Sequence, residues 1–211
     1  MAASGTEHPG DGHPGDGHPF NGHSSKTQWR AQLRSARSSV SPQQHALEAD
    51  ALAKFLLASD IVREAGTLCG YVPVGREPGT AQMLDGFLTM GVRLLLPVVE
   101  GELLNWVVYS GREALTEGAY GLAEPAGSRL GSAAIFSARV VIVPALAVDH
   151  TGTRLGRGKG YYDRALRLAA PDAVFIAMVR DEELVTHLPA EPHDVPMTWA
   201  VTPGRGFVRL G

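Results

Sequence analysis

The segment that most constrains the fold is an apolar run at 139–144 with the sequence RVVIVP. Its residues are mostly β-branched and it ends at a proline, which is typical of a central strand buried on both faces. Similar runs, which predict further strands, lie at 67–73, 92–98, 103–109 and 173–179, and segments of helical composition lie at 26–40, from 41 onward, at 80–90 and at 161–170. This alternation predicts an α/β fold around a mostly parallel sheet.

About ten residues after the 139–144 strand comes a basic glycine-rich stretch, RLGRGKGYYDR, at 154–164. Arg157 and Lys159 are interleaved with three glycines at alternate positions, Gly156, Gly158 and Gly160. Glycine allows the backbone to approach a ligand closely, and the two cations add positive charge to the same turn. A helix that begins near Tyr161 would direct its first N–H groups to the same place. This combination is suited to binding a polyphosphate.

The two best-known phosphate motifs do not fit this stretch. A P-loop would need glycine where Thr153 stands and serine or threonine where Gly160 stands. A dinucleotide fingerprint would need its last glycine at position 161, which is tyrosine. From the residues alone, three interpretations remain open: a phosphate-binding loop, a flexible basic surface loop, and an RNA-contacting segment.

Charge and composition limit the classes of function. Residues 1–25 carry three acids and no lysine or arginine, so the net charge of −3 belongs to that segment and the remainder is neutral. A neutral body argues against a general nucleic-acid binder. The single cysteine, Cys69, excludes an internal disulfide, and the sequence has no membrane-spanning run and no signal-peptide core. We therefore expect a soluble cytoplasmic protein with one folded domain at 26–211.

Residues 1–25 repeat HPGDG, HPGDG and HPFNG, which places histidines five residues apart: His8, His13, His18 and His23. Glycine, proline, aspartate and histidine without aliphatic residues cannot bury enough surface to offset the entropy of ordering. The composition predicts a disordered tail. Weak capture of a transition metal by the four histidines is the alternative interpretation.

The stretch at 154–164 resembles the signature of the 5-formyltetrahydrofolate cyclo-ligase family, the 5,10-methenyltetrahydrofolate synthetases. The likeness covers the whole motif, and weaker similarities extend over 26–203, including GAYGLAEP at 118–125 and a proline-glutamate loop before Asp194. The resemblance implies a three-layer α/β/α sandwich, in agreement with the alternating strands and helices. It also implies closure of 5-formyltetrahydrofolate to 5,10-methenyltetrahydrofolate, with conversion of ATP to ADP and phosphate through an N5-iminium phosphate.

Site residues follow from the same resemblance. It implies that ATP is bound by Lys26, Arg30, Arg154, Gly156, Arg157, Gly158, Lys159, Gly160, Tyr161 and Tyr162, with Arg157 and Lys159 as catalytic cations. It implies that the folate is contacted by Arg30, Val72, Glu77, Trp106, Arg157 and Tyr161. Lys26 and Arg30 are four residues apart and share one helix face. Read without the resemblance, Glu77 is a solvated loop residue and Trp106 a core residue.

The resemblance further implies a Mg²⁺ ion bound by Asp163 and Asp194, because phosphoryl transfer depends on positioning and charge stabilisation. The expected partners are MgATP and 5-formyltetrahydrofolate, with or without a polyglutamate tail, and we expect a monomer that binds neither nucleic acid nor membrane. Two other classes remain open at this point. One is a phosphosugar- or nucleotide-binding isomerase or transferase without ATP turnover, and the other is a non-catalytic folate- or RNA-binding module.

Overall fold

The structure of the chain, a computed structural model, describes residues 25–118 and 123–211. Residues 1–24 of the predicted tail, with its four histidines, and residues 119–122 lie outside the described residues. Within the described ranges, no helix has both the length and the apolar character needed to cross a bilayer.

Five α-helices and twelve strands make up the described part of the chain. The helices are α1 (Lys26–Ser38), α2 (Pro42–Ala58), α3 (Asp60–Arg63), α4 (Ala81–Thr89) and α5 (Tyr161–Leu166). The first six strands are β1 (Thr67–Cys69), β2 (Arg93–Glu100), β3 (Leu103–Val108), β4 (Leu115–Glu117), β5 (Ala123–Pro125) and β6 (Val140–Pro144). The others are β7 (Ala147–Asp149), β8 (Arg154–Leu155), β9 (Val174–Met178), β10 (Leu184–Val185), β11 (Trp199–Thr202) and β12 (Gly206–Arg209). Short 3₁₀ turns occur at Arg112–Ala114, Ser132–Ser137 and Asp181–Glu183.

A seven-stranded sheet with the order β12-β11-β9-β6-β1-β2-β3 forms the centre of the fold. The five inner strands are parallel to one another, and the two edge strands, β3 and β12, are antiparallel to their neighbours. The run at 139–144 supplies β6, which lies in the middle of the sheet. The α/β fold with a mostly parallel sheet, expected from the sequence, is therefore confirmed.

Both faces of the sheet are buried, as the apolar runs require. Along β6, Val140 and Ile142 belong to one core cluster with residues of α2 and α4, whereas Val141 and Val143 belong to a second cluster with residues of α5. Because side chains alternate along a strand, each of the five inner strands contributes to both clusters. The sheet is thus the middle layer of a three-layer sandwich.

The first helix packs beside the sheet, against a smaller three-stranded sheet with the order β10-β7-β8. Trp29 and Leu33 of α1 lie in one apolar cluster with Leu146, Leu155 and Leu188. A capping box begins the helix, since the Ser25 hydroxyl accepts from the Gln28 N–H and the Gln28 side chain accepts from the Ser25 N–H. These contacts hold α1 next to β8 and to the glycine-rich stretch that follows it.

Three local predictions differ from the structure. The strand expected at 67–73 ends at Cys69, because the chain leaves the sheet there to form the loop that contains Glu77. The helix expected to reach residue 170 ends at Leu166 and continues as tight turns, in which Leu168 and Ala169 donate to carbonyls three residues earlier. The helix expected at 26–40 ends at Ser38, and the Ser39 N–H closes its last turn by donating to the Ala36 carbonyl.

Candidate active site

A cavity of about 560 Å³ lies where the parallel strands β1 and β6 end, next to Tyr71, Val72 and Pro144. The carboxyl ends of parallel strands are where α/β sheets most often bind ligands. Seven cationic side chains line the cavity: Lys26, Arg30, Arg34, Arg37, Arg154, Arg157 and Lys159. Five acidic side chains also line it: Glu77, Glu124, Asp163, Glu191 and Asp194. The excess of positive charge suits an anionic ligand such as a polyphosphate.

The glycine loop, defined here as residues 156–160, connects β8 to α5 and forms one wall of the cavity. Gly158 has φ +102°, and a Cβ added there would lie 3.3 Å from Arg30 Cζ, so this position suits glycine on both counts. The Arg30 side chain donates from Nε to the Gly156 carbonyl at 2.9 Å. Every residue that the resemblance assigned to ATP lines this cavity.

Helix α1 contributes more cations than the sequence indicated. The prediction named Lys26 and Arg30, whereas Arg34 and Arg37 also line the cavity. Arg34 donates to the Arg157 carbonyl at 3.0 Å, and the buried Arg37 forms a two-point ion pair with Glu183 at 2.6 and 2.8 Å. The helical spacing of these residues, continued one and two turns beyond Arg30, was the signal that could have identified them.

Lys26 binds two carboxylates at one end of the cavity. Its Nζ lies 2.7 Å from Glu191 Oε2 and 2.9 Å from Asp194 Oδ2. Burial opposes the charged form of Lys26, but the hydrogen bonds and charges of the two acids outweigh it and raise the pKa of the lysine. Burial also acts against ionised Asp194, and there the contacts with Lys26 and with the Glu191 N–H prevail and lower the pKa. All three side chains are therefore held in their charged forms.

Two contacts attach the segment with Asp194 to the turn that precedes β8. The buried Asp149 carboxylate accepts from the N–H groups of Thr151 and Thr153 with one oxygen and from that of Leu188 with the other, each at 2.9 Å. Met197 donates its N–H to the Gly152 carbonyl at 2.8 Å. The segment before β11 is thereby attached to the turn that leads into β8.

Asp163, the other predicted metal ligand, lies on the first turn of α5 and pairs with Arg154. The Arg154 side chain is only 5% exposed, and burial lowers the pKa of its guanidinium. Its Nε is buried without a hydrogen-bond partner among the described residues. Both aspartates thus line one cavity, each paired with a cation. Their carboxylate oxygens are the donors that Mg²⁺ prefers, so the donor set fits the ion.

The cavity also has apolar walls and a further carboxylate, that of Glu77. Val72, Pro97, Val99 and Leu104 supply apolar surface. The largely buried Glu77 carboxylate pairs with Arg157 Nη2 at 2.7 Å and accepts from the Val74 N–H at 3.0 Å. The lining therefore offers both apolar surface and a hydrogen-bond acceptor to a ligand.

Tyr162 also lines the cavity, but its hydroxyl is buried among protein atoms. The hydroxyl has no hydrogen-bond partner within the described ranges, and burial raises its pKa. Tyr161, beside it, also lines the cavity and stacks under the Arg164 guanidinium at 5.3 Å.

Trp106 is the one assigned residue that the structure does not bring to the cavity. Its side chain is fully buried in the core cluster that also contains Leu95, Leu104 and Ile135. Leu104, two residues earlier on the same face of β3, lines the cavity instead. The core interpretation of Trp106 therefore describes its position in the structure.

Comparisons with known proteins identify relatives of this chain. The model of the 5-formyltetrahydrofolate cyclo-ligase family matches residues 22–203. A 5-formyltetrahydrofolate cyclo-ligase of Mycolicibacterium smegmatis is 46% identical over 192 residues, covering 88% of this chain and 97% of that protein. One of Escherichia coli is 27% identical over 182 residues, covering 82% of this chain and 97% of that protein.

Two solved structures are similar to this chain in fold. The NMR structure of Aquifex aeolicus 5,10-methenyltetrahydrofolate synthetase superimposes with a TM-score of 0.75 at 26% identity, covering 88% of this chain and 92% of the other. A 5,10-methenyltetrahydrofolate synthetase from Mycoplasma pneumoniae, 18% identical, shares the fold with a TM-score of 0.66, covering 84% and 98% of the two chains. On the match over 22–203 and the 46% identity, the chain belongs to the 5-formyltetrahydrofolate cyclo-ligase family.

Proposed function

We propose that this protein cyclises 5-formyltetrahydrofolate to 5,10-methenyltetrahydrofolate and converts ATP to ADP and phosphate. The observation that carries the proposal is that one cavity combines a cationic wall, formed by the glycine loop and α1, with apolar side chains and Glu77. Arg157 connects the two sets of residues, since it lies in the glycine loop and pairs with Glu77.

The reaction needs ATP because a formamide oxygen is a poor leaving group. In the proposed sequence the formyl oxygen attacks the γ-phosphorus, ADP leaves, and an N5-iminium phosphate forms. N10 of the folate then attacks the formyl carbon and loses its proton, and the C–O bond breaks to release phosphate. Such a reaction requires the two substrates to be placed in line and the phosphate charge to be stabilised, without a covalent nucleophile on the protein.

The residues of the cavity divide this work. Lys159 and Arg157 stabilise the charge of the transferring phosphate, and Lys26 and Arg30 bind the remaining phosphates. Glu77 accepts hydrogen bonds from the pterin, while Val72 and Tyr161 contact its ring. Asp163 and Asp194 hold Mg²⁺, which when bound supplies further positive charge to the phosphate oxygens. Because Lys26 pairs with Asp194 and Arg154 with Asp163, both carboxylates are held in the cavity that the glycine loop also lines.

The proposal extends to the setting of the reaction. We propose a cytoplasmic monomer that acts on folates with or without a polyglutamate tail and binds neither nucleic acid nor membrane. Equal numbers of basic and acidic residues after residue 25 support the last two points, because a phosphate-rich polymer or surface attracts a basic protein.

An absorbance assay tests the proposal. The protein is mixed with 5-formyltetrahydrofolate and MgATP, and the near-ultraviolet band of the methenyl product is followed together with ADP. We expect one ADP for each methenyl product and no product when ATP is omitted. A nucleotide-binding isomerase or transferase would give no ADP, and a folate-binding module would bind the folate without either product. Either result would contradict the proposal.

A further inference from the structure

We propose that Arg34, a residue outside the predicted site, is a positioning residue that fixes the glycine loop for the nucleotide. The inference rests on the proposed function, because it concerns the same nucleotide site. The starting observation is that two arginines of α1 bind two consecutive carbonyls of the loop. Arg30 Nε donates to the Gly156 carbonyl at 2.9 Å, and Arg34 Nη2 donates to the Arg157 carbonyl at 3.0 Å.

The spacing of the two arginines explains how both reach the loop. Residues four apart on a helix lie on one face and are separated by about 6 Å along the axis. Helix α1 is itself held in place by the apolar contacts of Trp29 and Leu33 and by the ion pair between Arg37 and Glu183. The two guanidinium groups therefore project from a fixed support towards a glycine-rich segment that has little conformational restraint of its own.

The two hydrogen bonds determine the direction of the backbone. In a trans peptide the carbonyl and the following N–H point in opposite directions. With the carbonyls of Gly156 and Arg157 turned towards α1, the N–H groups of Arg157 and Gly158 both point away from it. Among the described residues, none accepts a hydrogen bond from either N–H. Two neighbouring N–H groups on one side form an anion-binding nest, which leaves both donors to a phosphate oxygen.

Arg157 is the residue that gains most from this restraint. Its side chain is 55% exposed and lies between two glycines, so few packing contacts limit it. Glu77 holds the guanidinium of Arg157, and Arg34 holds its backbone carbonyl. Loss of Arg34 would remove the side-chain hydrogen bond to the Arg157 backbone itself, and the remaining restraints would act on its neighbours Gly156 and Lys159 and on the tip of its side chain. Arg34 thus acts on the nucleotide through Arg157, and no direct contact of Arg34 with the phosphates is required.

Binding of a non-hydrolysable ATP analogue with Mg²⁺ tests this role without the folate. For Arg34→Gln we expect the dissociation constant to rise about three- to tenfold, the range that loss of one hydrogen bond predicts. Arg34→Lys, which keeps a donor for the same carbonyl, should recover most of the affinity. Arg63→Gln is the matched control, since Arg63 is an exposed arginine of α3 that does not line the cavity. An unchanged dissociation constant in Arg34→Gln would refute the proposal.

Trypsin gives a second measurement, because cleavage after Arg157 or Lys159 requires the glycine loop to leave its position. Arg34→Gln should be cut at these bonds several times faster than the wild type and the Arg63→Gln control, at an unchanged melting temperature. If affinity falls while the cleavage rate stays the same and Arg34→Lys gives no recovery, Arg34 binds the phosphates directly and the positioning role is wrong. Since neither measurement uses the folate, a failure of the cyclisation assay would leave both results interpretable.

Discussion

Glu77 Oε1 and Arg157 Nη2 lie 2.7 Å apart and form an ion pair at the surface of the cavity. The acid proposed to bind the pterin and the cation proposed to bind the phosphate thus neutralise each other. When a ligand engages one of them, the other becomes available to the second ligand. We therefore expect the ion pair to couple the two proposed substrate sites energetically.

The first prediction is cooperative binding of the two substrates. We expect 5-formyltetrahydrofolate to lower the dissociation constant of a non-hydrolysable ATP analogue about two- to fivefold, a small effect because Arg157 is half exposed. Glu77→Gln should weaken folate binding and abolish this cooperativity. Titration calorimetry with one ligand in the presence and absence of the other measures both effects. Equal cooperativity in the wild type and in Glu77→Gln would show that the ion pair does not couple the sites.

The second prediction concerns the cations of the glycine loop. Lys159→Ala and Arg157→Ala should each lower kcat/KM for ATP about ten- to a hundredfold, because a charge-assisted contact is worth about 1.5–3 kcal/mol. Lys54→Ala is a suitable control, since Lys54 is an exposed lysine of α2 away from the cavity. Steady-state kinetics with varied ATP provide the measurement. Wild-type kinetics in both loop variants would remove the loop from the active site.

The third prediction concerns the metal. Asp163→Asn and Asp194→Asn should each raise the Mg²⁺ concentration that gives half-maximal rate, and the two changes should be non-additive, because groups that share one ion act as a unit. Folate binding in the absence of ATP should stay near normal, since neither aspartate is assigned to the pterin. Fluorescence titration with the folate and rate measurements over a Mg²⁺ series supply both readouts. If only Asp163→Asn shifts the Mg²⁺ dependence, Asp194 pairs with Lys26 but does not bind the ion, and the two-carboxylate site is wrong.

The fourth prediction distinguishes two reasons why a position requires glycine: a positive φ angle and lack of space for a Cβ atom. Gly152 has φ +90°, and a Cβ there would meet the Met197 carbonyl oxygen at 2.6 Å, whereas Gly91 has φ +77° and open space around its Cβ position. We expect Gly91→Ala to cost about 1–2 kcal/mol of unfolding free energy from backbone strain alone. Gly152→Ala should cost more, and it should lower activity because it displaces the segment with Asp194. Urea unfolding measures the stability of both variants, and the cyclisation assay measures their activity. Equal losses would show that the contact with Met197 is unimportant.

Sequence patterns predicted the fold and one wall of the candidate site. The apolar run at 139–144 favoured a strand buried on both faces, and it forms the central strand β6. The glycine loop was recognisable because its residues are adjacent in the chain. Lys26 and Arg30 followed from helical spacing and the family resemblance. These features depend on short-range order, which the sequence displays directly.

Contacts between segments that are distant in the sequence could not be predicted from such local patterns. The ion pairs of Lys26 with Glu191 and of Arg157 with Glu77 depend on how loops meet after folding. Arg34 belongs to no recognisable motif, and its contact with the glycine loop depends on where α1 packs in the folded chain. Trp106 was assigned to the site but lies in the core. Strand alternation predicts that Trp106 and Leu104 lie on the same face of β3, but it does not predict that the cavity reaches only Leu104.

Transfer of the formyl oxygen is the most direct test of the proposed reaction. The substrate is prepared with ¹⁸O in the formyl group and incubated with the protein and MgATP, and the released phosphate is analysed by mass spectrometry. If ATP phosphorylates the formyl oxygen, each phosphate carries one ¹⁸O atom and the amount of labelled phosphate equals the amount of methenyl product. Unlabelled phosphate, with the ¹⁸O recovered in water, would mean that ATP hydrolysis and ring closure are separate events and would contradict the account.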